Sequence, residues 1–230
     1  MNQKTANNEL FGALLAASLH EVKNRFGLLY NDLDGLLSAL TVNEQQQHQV
    51  EAIKSEAQFI GNELMRVLAS YKSLQGDFSA SIDQHFAIEF LEEAMARHGY
   101  TFRANGIQAE LDCDEETSGF FDPGIVTIVL DTLIYNAVKA GAKKLLFSAD
   151  EDENYLYLHL HDDGPGLPED MLGSDIQQKK VSVNDQSTGL GLYFAQSVLA
   201  CHQEGELSGH LHLNKSQRLP GALVTLALPL

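Results

Sequence analysis

A long amphipathic segment opens the chain and limits what its first third can form. Residues 9–40 contain no proline, and their apolar side chains recur at steps of about three, four and seven. This spacing predicts one long helix with a single apolar stripe. The members of the stripe are Leu10, Leu14, Val22, Phe26, Leu29, Leu33, Leu36 and Leu40.

A second helix is predicted after a short break. Asn43 is a candidate N-cap, because a side-chain oxygen there can accept from the free amides of a helix start. The apolar side of this helix holds Val50, Ile53, Ile60, Leu64, Val67, Leu68, Tyr71 and Leu74. Residues 1–76 are therefore predicted to form a helical hairpin. Two helices bury only their facing stripes, so we expect a second copy to complete a four-helix bundle, making the protein a homodimer.

The pattern changes after a polar stretch that contains Gly76, so we expect a linker at 77–86 and a second domain at 87–230. Short strands and helices alternate there, which predicts an α+β domain with one mixed or antiparallel sheet and helices on one side. The predicted helices are 88–97, 123–140, capped by Asp122, and 190–202. The predicted strands are 108–113, 143–149, 155–161, one near Leu211, and 223–228.

Charge and composition exclude several classes of partner. The 230 residues carry 32 acidic and 15 basic side chains, a formal charge of -17, which repels nucleic acid and anionic lipid. The apolar stretch at 11–19 is shorter than the roughly 18 residues that span a bilayer, so we expect a cytoplasmic protein without membrane insertion. Cys113 and Cys201 stand far apart without a CxxC motif, which indicates neither a disulfide framework nor a zinc site.

Three short motifs in the second domain point to phosphate chemistry when taken together. They are LIYNAVK at 133–139, DDGPG at 162–166 and TGLGL at 188–192. Each alone has an ordinary explanation: a surface asparagine, a turn, or tight packing before a helix. As a set, their glycines permit close approach of backbone to a ligand, and the helix start after Thr188 presents amide N–H groups to phosphate.

In this order the motifs resemble the nucleotide-binding blocks of the GHKL ATPases, in their histidine-kinase branch. The resemblance implies a GHKL-type α/β sandwich at 87–230 that binds ATP and Mg²⁺. It implies that Asp162 accepts from the adenine amino group, that Asn136 is a Mg²⁺ ligand, that Lys139 meets a phosphate, and that 168–186 form a mobile lid. The remaining implied ATP-binding residues are Gly164, Gly166, Thr188, Gly189, Leu190, Gly191 and Leu192.

The first helix carries a second resemblance, in the segment SLHEVKN at 18–24. A lone helical histidine is usually a solvated residue, but this segment resembles the family's phosphoacceptor box and precedes an ATPase-like domain. The resemblance implies that His20 accepts phosphate. Glu21 follows it and could accept an imidazole proton, and Asn24 lies one turn further on the same face. Two positions depart from the family's usual residues: Arg25, where proline is common, and Thr132, where the first asparagine of its helix motif stands.

These features together predict a two-component histidine kinase. We expect Mg-ATP-dependent autophosphorylation of His20, transfer to an aspartate of a response-regulator receiver domain, and phosphatase activity assisted by Asn24. The stimulus would come from a separate sensor protein or from a sensor domain missing from this chain. The alternatives are a histidine phosphotransfer protein or scaffold with a degenerate kinase domain, and a serine-directed kinase of anti-sigma type.

Overall fold

The computed structural model describes Gln46, Gln49, Ile53, residues 80–173 and residues 189–230. The chain divides into two compact units, Met1–Asp77 and Phe78–Leu230. In the first unit only Gln46, Gln49 and Ile53 are described, and all three are helical and exposed. The predicted hairpin and its four-helix bundle otherwise lie outside the described residues and stay predictions. The account below concerns the second unit.

The described residues of the second unit form three α-helices: α1 (Ala87–Asn105), α2 (Pro123–Lys139) and α3 (Gly189–Leu199). Asp122 caps α2 as predicted, because its Oδ1 accepts from the Ile125 amide at 3.1 Å. Helix α1 runs eight residues beyond the predicted end at 97 and stops at Gly106, whose φ of 64° suits glycine. The extension is explained by Phe102, a nearly buried residue whose ring lies 6.5 Å from the Phe147 ring of the sheet. Across the described residues, no helix has the length and apolar character needed to cross a membrane.

The main sheet is mixed and has five strands, which confirms the predicted α/β architecture of this domain. In chain order they are β2 (Gln108–Asp112), β4 (Lys144–Glu151), β5 (Tyr155–Asp162), β8 (His210–Lys215) and β9 (Ala222–Pro229). Their order across the sheet is β2-β4-β5-β9-β8, with β2 parallel to β4 and the other neighbours antiparallel.

Four short strands were not predicted. The strands β1 (Asp83–Phe86) and β3 (Ser118–Phe121) pair antiparallel, as do β6 (Gln203–Glu204) and β7 (Leu207–Ser208). Each has four residues or fewer, so no period of two can be recognised along it. The last helix was predicted to end at residue 202, but α3 stops at Leu199. The strand β6 begins soon afterwards, at Gln203.

The register of the main sheet gives it two different faces. Phe147, Leu160, Val224 and Leu213 are consecutive cross-strand partners, and each is at most 7% exposed. Because side chains alternate along a strand, this row and its neighbours two residues away form the core beneath the helices. The opposite face carries a different set of side chains, rich in histidine and tyrosine: Tyr155, Tyr157, His159, His161, His210 and His212.

Candidate nucleotide-binding site

Asp162 ends β5 on the core face and is only 9% exposed. Its Oδ1 accepts from the amides of Gly164, at 2.8 Å, and Ala222, at 3.2 Å. Burial raises the pKa of Asp162, and the two amide donors partly oppose that shift. Both hydrogen bonds fall on Oδ1, so Oδ2 is the oxygen with which this carboxyl group can accept from a ligand.

Gly221 closes the space behind this carboxylate, a role that the sequence did not predict. Its amide donates to the Asp162 carbonyl at 3.1 Å. A Cβ built at this glycine would lie 2.4 Å from Asp162 Oδ1 and 2.7 Å from the Gly164 nitrogen. No side chain fits there without moving the acidic group. The sequence signal was only a glycine before the closing strand, and nothing local says which residue it meets.

Asp163, the next residue, has a structural role. Its Oδ1 accepts from the amides of Lys143 and Lys144, at 2.6 and 2.8 Å, and its own amide donates to the Lys144 carbonyl. These backbone donors, that of Lys144 first, lower the pKa of Asp163. The residue therefore ties the end of β5 to the start of β4. Of the two adjacent acidic residues, Asp162 is the buried one, beside Gly164 and Gly221, and it is the candidate to meet a ligand.

The C-terminal end of α2 comes close to the same turn. A Cβ on Gly164 would lie 3.8 Å from the Cβ of Ala140, the residue that follows α2. Asn136, in the last turn of that helix, is half-buried, and Lys139 is exposed. Residues three apart share a side of a helix, so both belong to the end that meets the 162–166 turn. Within that turn, Gly166 has a φ of 79°, which side chains disfavour.

The other predicted residues are only partly described. The third motif does begin a helix, since α3 starts at Gly189 and contains Leu190 and Gly191. Leu192 is in the core at 4% exposure. Thr188 and the predicted lid from residue 174 onward lie outside the described residues, as do His20, Glu21 and Asn24. The described start of the lid has a short 3₁₀ turn at Glu169–Met171 and is joined to β8 by a hydrogen bond from Gly173 to Leu213, 2.9 Å long.

The donor set of this region fits a magnesium ion carried by a nucleotide. Mg²⁺ prefers oxygen ligands and usually takes only one or two from the protein, with phosphates and water supplying the rest. Asn136 can offer one amide oxygen of this kind. Among the described residues no group of three or more histidine, cysteine or acidic side chains is placed to hold a metal ion, so no separate protein cage competes with it.

Residues 121–230 match the family described as histidine kinase-, DNA gyrase B-, and HSP90-like ATPase. This part of the chain is similar to the ATPase domains of that family. The match contains Asp162, Gly221 and the whole of α2, so the geometry above lies within the matched domain. The predicted resemblance to a histidine kinase catalytic core is confirmed for the ATPase domain, and the phosphoacceptor hairpin remains a prediction.

Curated relatives are sensor kinases. The chain is 25% identical to the sensor protein PhoQ of Escherichia coli over 150 residues, which are 65% of the chain and 30% of PhoQ. It is 26% identical to the nisin biosynthesis sensor protein NisK of Lactococcus lactis over 214 residues, or 89% of the chain and 46% of NisK. The chain thus spans less than half the length of either relative.

Solved structures share the fold. The structure of ShkA, full-length and in complex with AMPPNP, aligns with a TM-score of 0.63 at 18% identity, covering 94% of this chain and 45% of ShkA. At this identity the likeness concerns the fold alone.

Proposed function

We propose that the protein is an ATP-dependent histidine kinase of a two-component signalling system. The observation that carries the proposal is the buried Asp162 carboxylate, which is held through Oδ1 by two backbone amides with Oδ2 left over. An acceptor of this kind at a strand end, beside a glycine turn and a helix end bearing Asn136, suits an adenine nucleotide. The ATPase family match and the sensor-kinase relatives support the same reading.

In this proposal the described residues position the nucleotide and balance its charge. Asp162 Oδ2 accepts from the adenine amino group, and Gly164 and Gly166 let the backbone approach closely. Asn136 would hold Mg²⁺, which neutralises phosphate charge when bound. Lys139, on the same side of α2, adds a second positive charge near the phosphates. Catalysis of phosphoryl transfer then rests mainly on orientation and electrostatics.

The phosphoacceptor of the proposal is His20. Glu21 takes or holds the proton on one imidazole nitrogen, and the other nitrogen forms a bond to the γ-phosphorus as the bond to the β,γ-bridging oxygen breaks and ADP leaves. The phosphoryl group then passes from His20 to a carboxylate oxygen of a receiver-domain aspartate. Asn24 orients a water that attacks the phosphoaspartate of the receiver domain in a separate phosphatase step, which releases inorganic phosphate and restores the carboxylate. We further propose a cytoplasmic homodimer whose signal comes from a sensor protein or from a sensor domain on a longer chain.

The test is incubation of the protein with γ-labelled ATP and Mg²⁺. Phosphohistidine is labile to acid and stable to base, so the label should be lost in acid only. His20→Ala should abolish labelling and leave ATP binding unchanged, because the acceptor and the ATP site belong to different units. A base-labile, acid-stable label would point instead to a serine-directed kinase.

Asp162→Asn is the matched variant for the pocket. Its amide oxygen can still accept from Gly164 and Ala222, but its NH₂ group would meet the adenine amino group donor to donor. We expect ATP affinity to fall by about 30-fold or more, from a loss of about 2 kcal/mol, while the melting temperature stays near that of the wild type. Full ATP affinity in this variant would refute the pocket assignment. ATP binding without any labelling of the wild type would favour the scaffold alternative.

A further inference from the structure

His210 and His212 alternate on β8, so both side chains project from the sheet face opposite the core. Their Nε2 atoms lie 2.9 Å apart, and their rings are nearly perpendicular, at 81°. His212 is exposed and His210 is half-buried, so solvent reaches the pair. Asp162 belongs to the other face of the same sheet, and the pair is therefore separate from the candidate ATP site.

A backbone carbonyl determines which nitrogen of His210 carries a lone pair. The Nδ1 of His210 lies 2.9 Å from the Ser208 carbonyl oxygen, which can only accept, so Nδ1 is the protonated nitrogen. Nε2 of His210 is then unprotonated and points at His212. A histidine whose Nδ1 donates to a carbonyl and whose Nε2 carries the lone pair has the arrangement that orients metal ligands in proteins.

The separation of the two nitrogens selects among metals. With metal–nitrogen bonds of about 2.0–2.1 Å, two ligands at 90° are about 2.9 Å apart, and two at the tetrahedral angle are about 3.3 Å apart. The observed 2.9 Å is the length of the hydrogen bond between the two rings in the metal-free pair, and it is also the separation that two ligands at a right angle require. Square-planar and tetragonal coordination by nitrogen is typical of Cu²⁺ and Ni²⁺, whereas tetrahedral coordination is typical of zinc.

We propose that His210 and His212 form a two-histidine binding site for Cu²⁺, and more weakly for Ni²⁺, on the outer face of the ATPase domain. Both Nε2 atoms coordinate the ion at adjacent positions. In the metal-free pair His212 donates its Nε2 proton to His210, so on binding that proton moves to Nδ1 of His212. Water completes the coordination, since no third histidine, cysteine or acidic ligand joins the pair within the described residues.

The ring of Tyr155 supports one side of the site. It meets the His210 ring edge-on, with centroids 5.1 Å apart, and so limits rotation of that imidazole. Together with the Ser208 carbonyl it holds His210 in the binding orientation before the metal arrives. A preoriented pair of this kind loses less side-chain entropy on binding than two free surface histidines.

The experiment is a titration of the full chain, without a histidine tag, with CuCl₂, followed by calorimetry and by electron paramagnetic resonance. We expect one tight equivalent whose spectrum shows two equatorial imidazole nitrogens. His210→Gln and His212→Gln should each weaken that equivalent by on the order of tenfold or more, because loss of even a supporting group costs tenfold or more in metal affinity. Ni²⁺ should show the same dependence at lower affinity.

His159→Gln is the matched control, because His159 shares this face but bonds to Thr225 and Asp150 instead. It should retain the tight equivalent. Cu²⁺ should also raise the melting temperature of the wild type and of this control, but not of His212→Gln. Unchanged Cu²⁺ affinity in both pair variants, or loss of it in His159→Gln alone, would overturn the proposal. ATP affinity should be the same in all of these proteins.

Discussion

Asp162 and Asp163 are adjacent in sequence, yet their surroundings shift their pKa values in opposite directions. Burial raises the pKa of Asp162, whereas amide donors lower the pKa of the half-buried Asp163. A buried carboxylate whose second oxygen has no partner gains most from a ligand that donates a hydrogen bond. The ligand then replaces the hydrogen bonds to water that the carboxylate lost on burial. At the scale of single residues, the proposed ATP site therefore depends on whatever keeps Asp162 in place, and Gly221 packs directly against its carboxylate.

Gly221→Ala tests this dependence. The added methyl would need to displace Asp162 Oδ1, only 2.4 Å away, together with the Gly164 backbone. Overpacking of this kind costs about 1–3 kcal/mol, so the melting temperature should fall. ATP affinity should drop by about tenfold or more as the carboxylate moves. Thermal unfolding and ATP calorimetry measure the two effects.

Gly99→Ala is the control for that variant. Gly99 lies inside α1, and a Cβ there would meet only the end of the Arg103 side chain, at 3.6 Å. Alanine is the better helix former by about 0.5–1 kcal/mol, so this change should stabilise the domain and leave ATP binding alone. A Gly221→Ala protein that melts and binds ATP like the wild type would contradict the assigned role of Gly221.

At the scale of elements, the connection between β8 and β9 holds Gly221 against Asp162. Ser216 Oγ accepts from the amides of Arg218 and Leu219, at 3.1 and 3.0 Å, so its own hydrogen is left to donate to Nδ1 of His161, 2.9 Å away. Arg218 also pairs with Asp112 on β2 at 2.6 Å. A histidine on the outer face of β5 thus anchors the turn that leads to Gly221 and the proposed ATP site, and it does so in its neutral form.

His161 should therefore make stability depend on pH. Burial, with smaller contributions from His159 and Arg218, lowers the pKa of His161 to about 4 from 6.5. His161 takes up a proton at a higher pH in the unfolded chain than in the folded one. The contribution of neutral His161 to the free energy of unfolding is therefore complete above about pH 6.5 and is lost as pH falls toward 4. It amounts to about 3 kcal/mol at most, at 1.36 kcal/mol per pKa unit.

Urea unfolding at several pH values measures the effect, with His161→Gln as the reference. The glutamine amide can still bond to Ser216, but it does not titrate. We expect the free energy of unfolding to fall more steeply for the wild type than for the variant between pH 6.5 and 4. Acidic groups and other histidines titrate in both proteins and cancel in the difference. Parallel curves would show that His161 is not the responsible group.

At the scale of the whole molecule, the predicted dimer depends on the first unit. Ile53, on the apolar stripe of the second predicted helix, is helical and 55% exposed in the single chain. Apolar area left in water costs about 25 cal/mol per Å², so a stripe of such residues favours a second copy. The formal charge of -17 opposes association at long range, which makes the dimer sensitive to salt.

Light scattering at micromolar concentration should give twice the chain mass. Ile53→Asp should shift the mass toward the monomer, because it places a charge where the partner would pack. Glu51→Gln is the control, since on the predicted second helix a position two residues before Ile53 falls on the opposite side. A monomeric wild type, or equal masses for both variants, would exclude dimerisation through this stripe.

Local patterns in the sequence were enough for most of the elements. The cap at Asp122 was predictable because it bonds to an amide only three residues away, and the strands of the main sheet were predictable from alternation along each one. The end of α1 was misplaced because Phe102, whose contact with the sheet extends the helix, has its partner 45 residues later, at Phe147. The three motifs could be proposed as a phosphate site from the sequence because glycine is favoured wherever backbone must approach a ligand closely.

Only the tertiary structure decided how these parts act on one another. The sequence contains Asp162 and Asp163 side by side, and nothing in their order says that folding buries Asp162 more deeply than Asp163. Gly221 is far along the chain and meets Asp162 only through the pairing of β5 with β9. Likewise the sequence places His210 and His212 on one side of a strand, but the Ser208 carbonyl and the Tyr155 ring set their 2.9 Å approach. The physical reason is that periodicity and capping are short-range, whereas burial, pKa and ligand geometry depend on groups that folding brings from distant positions.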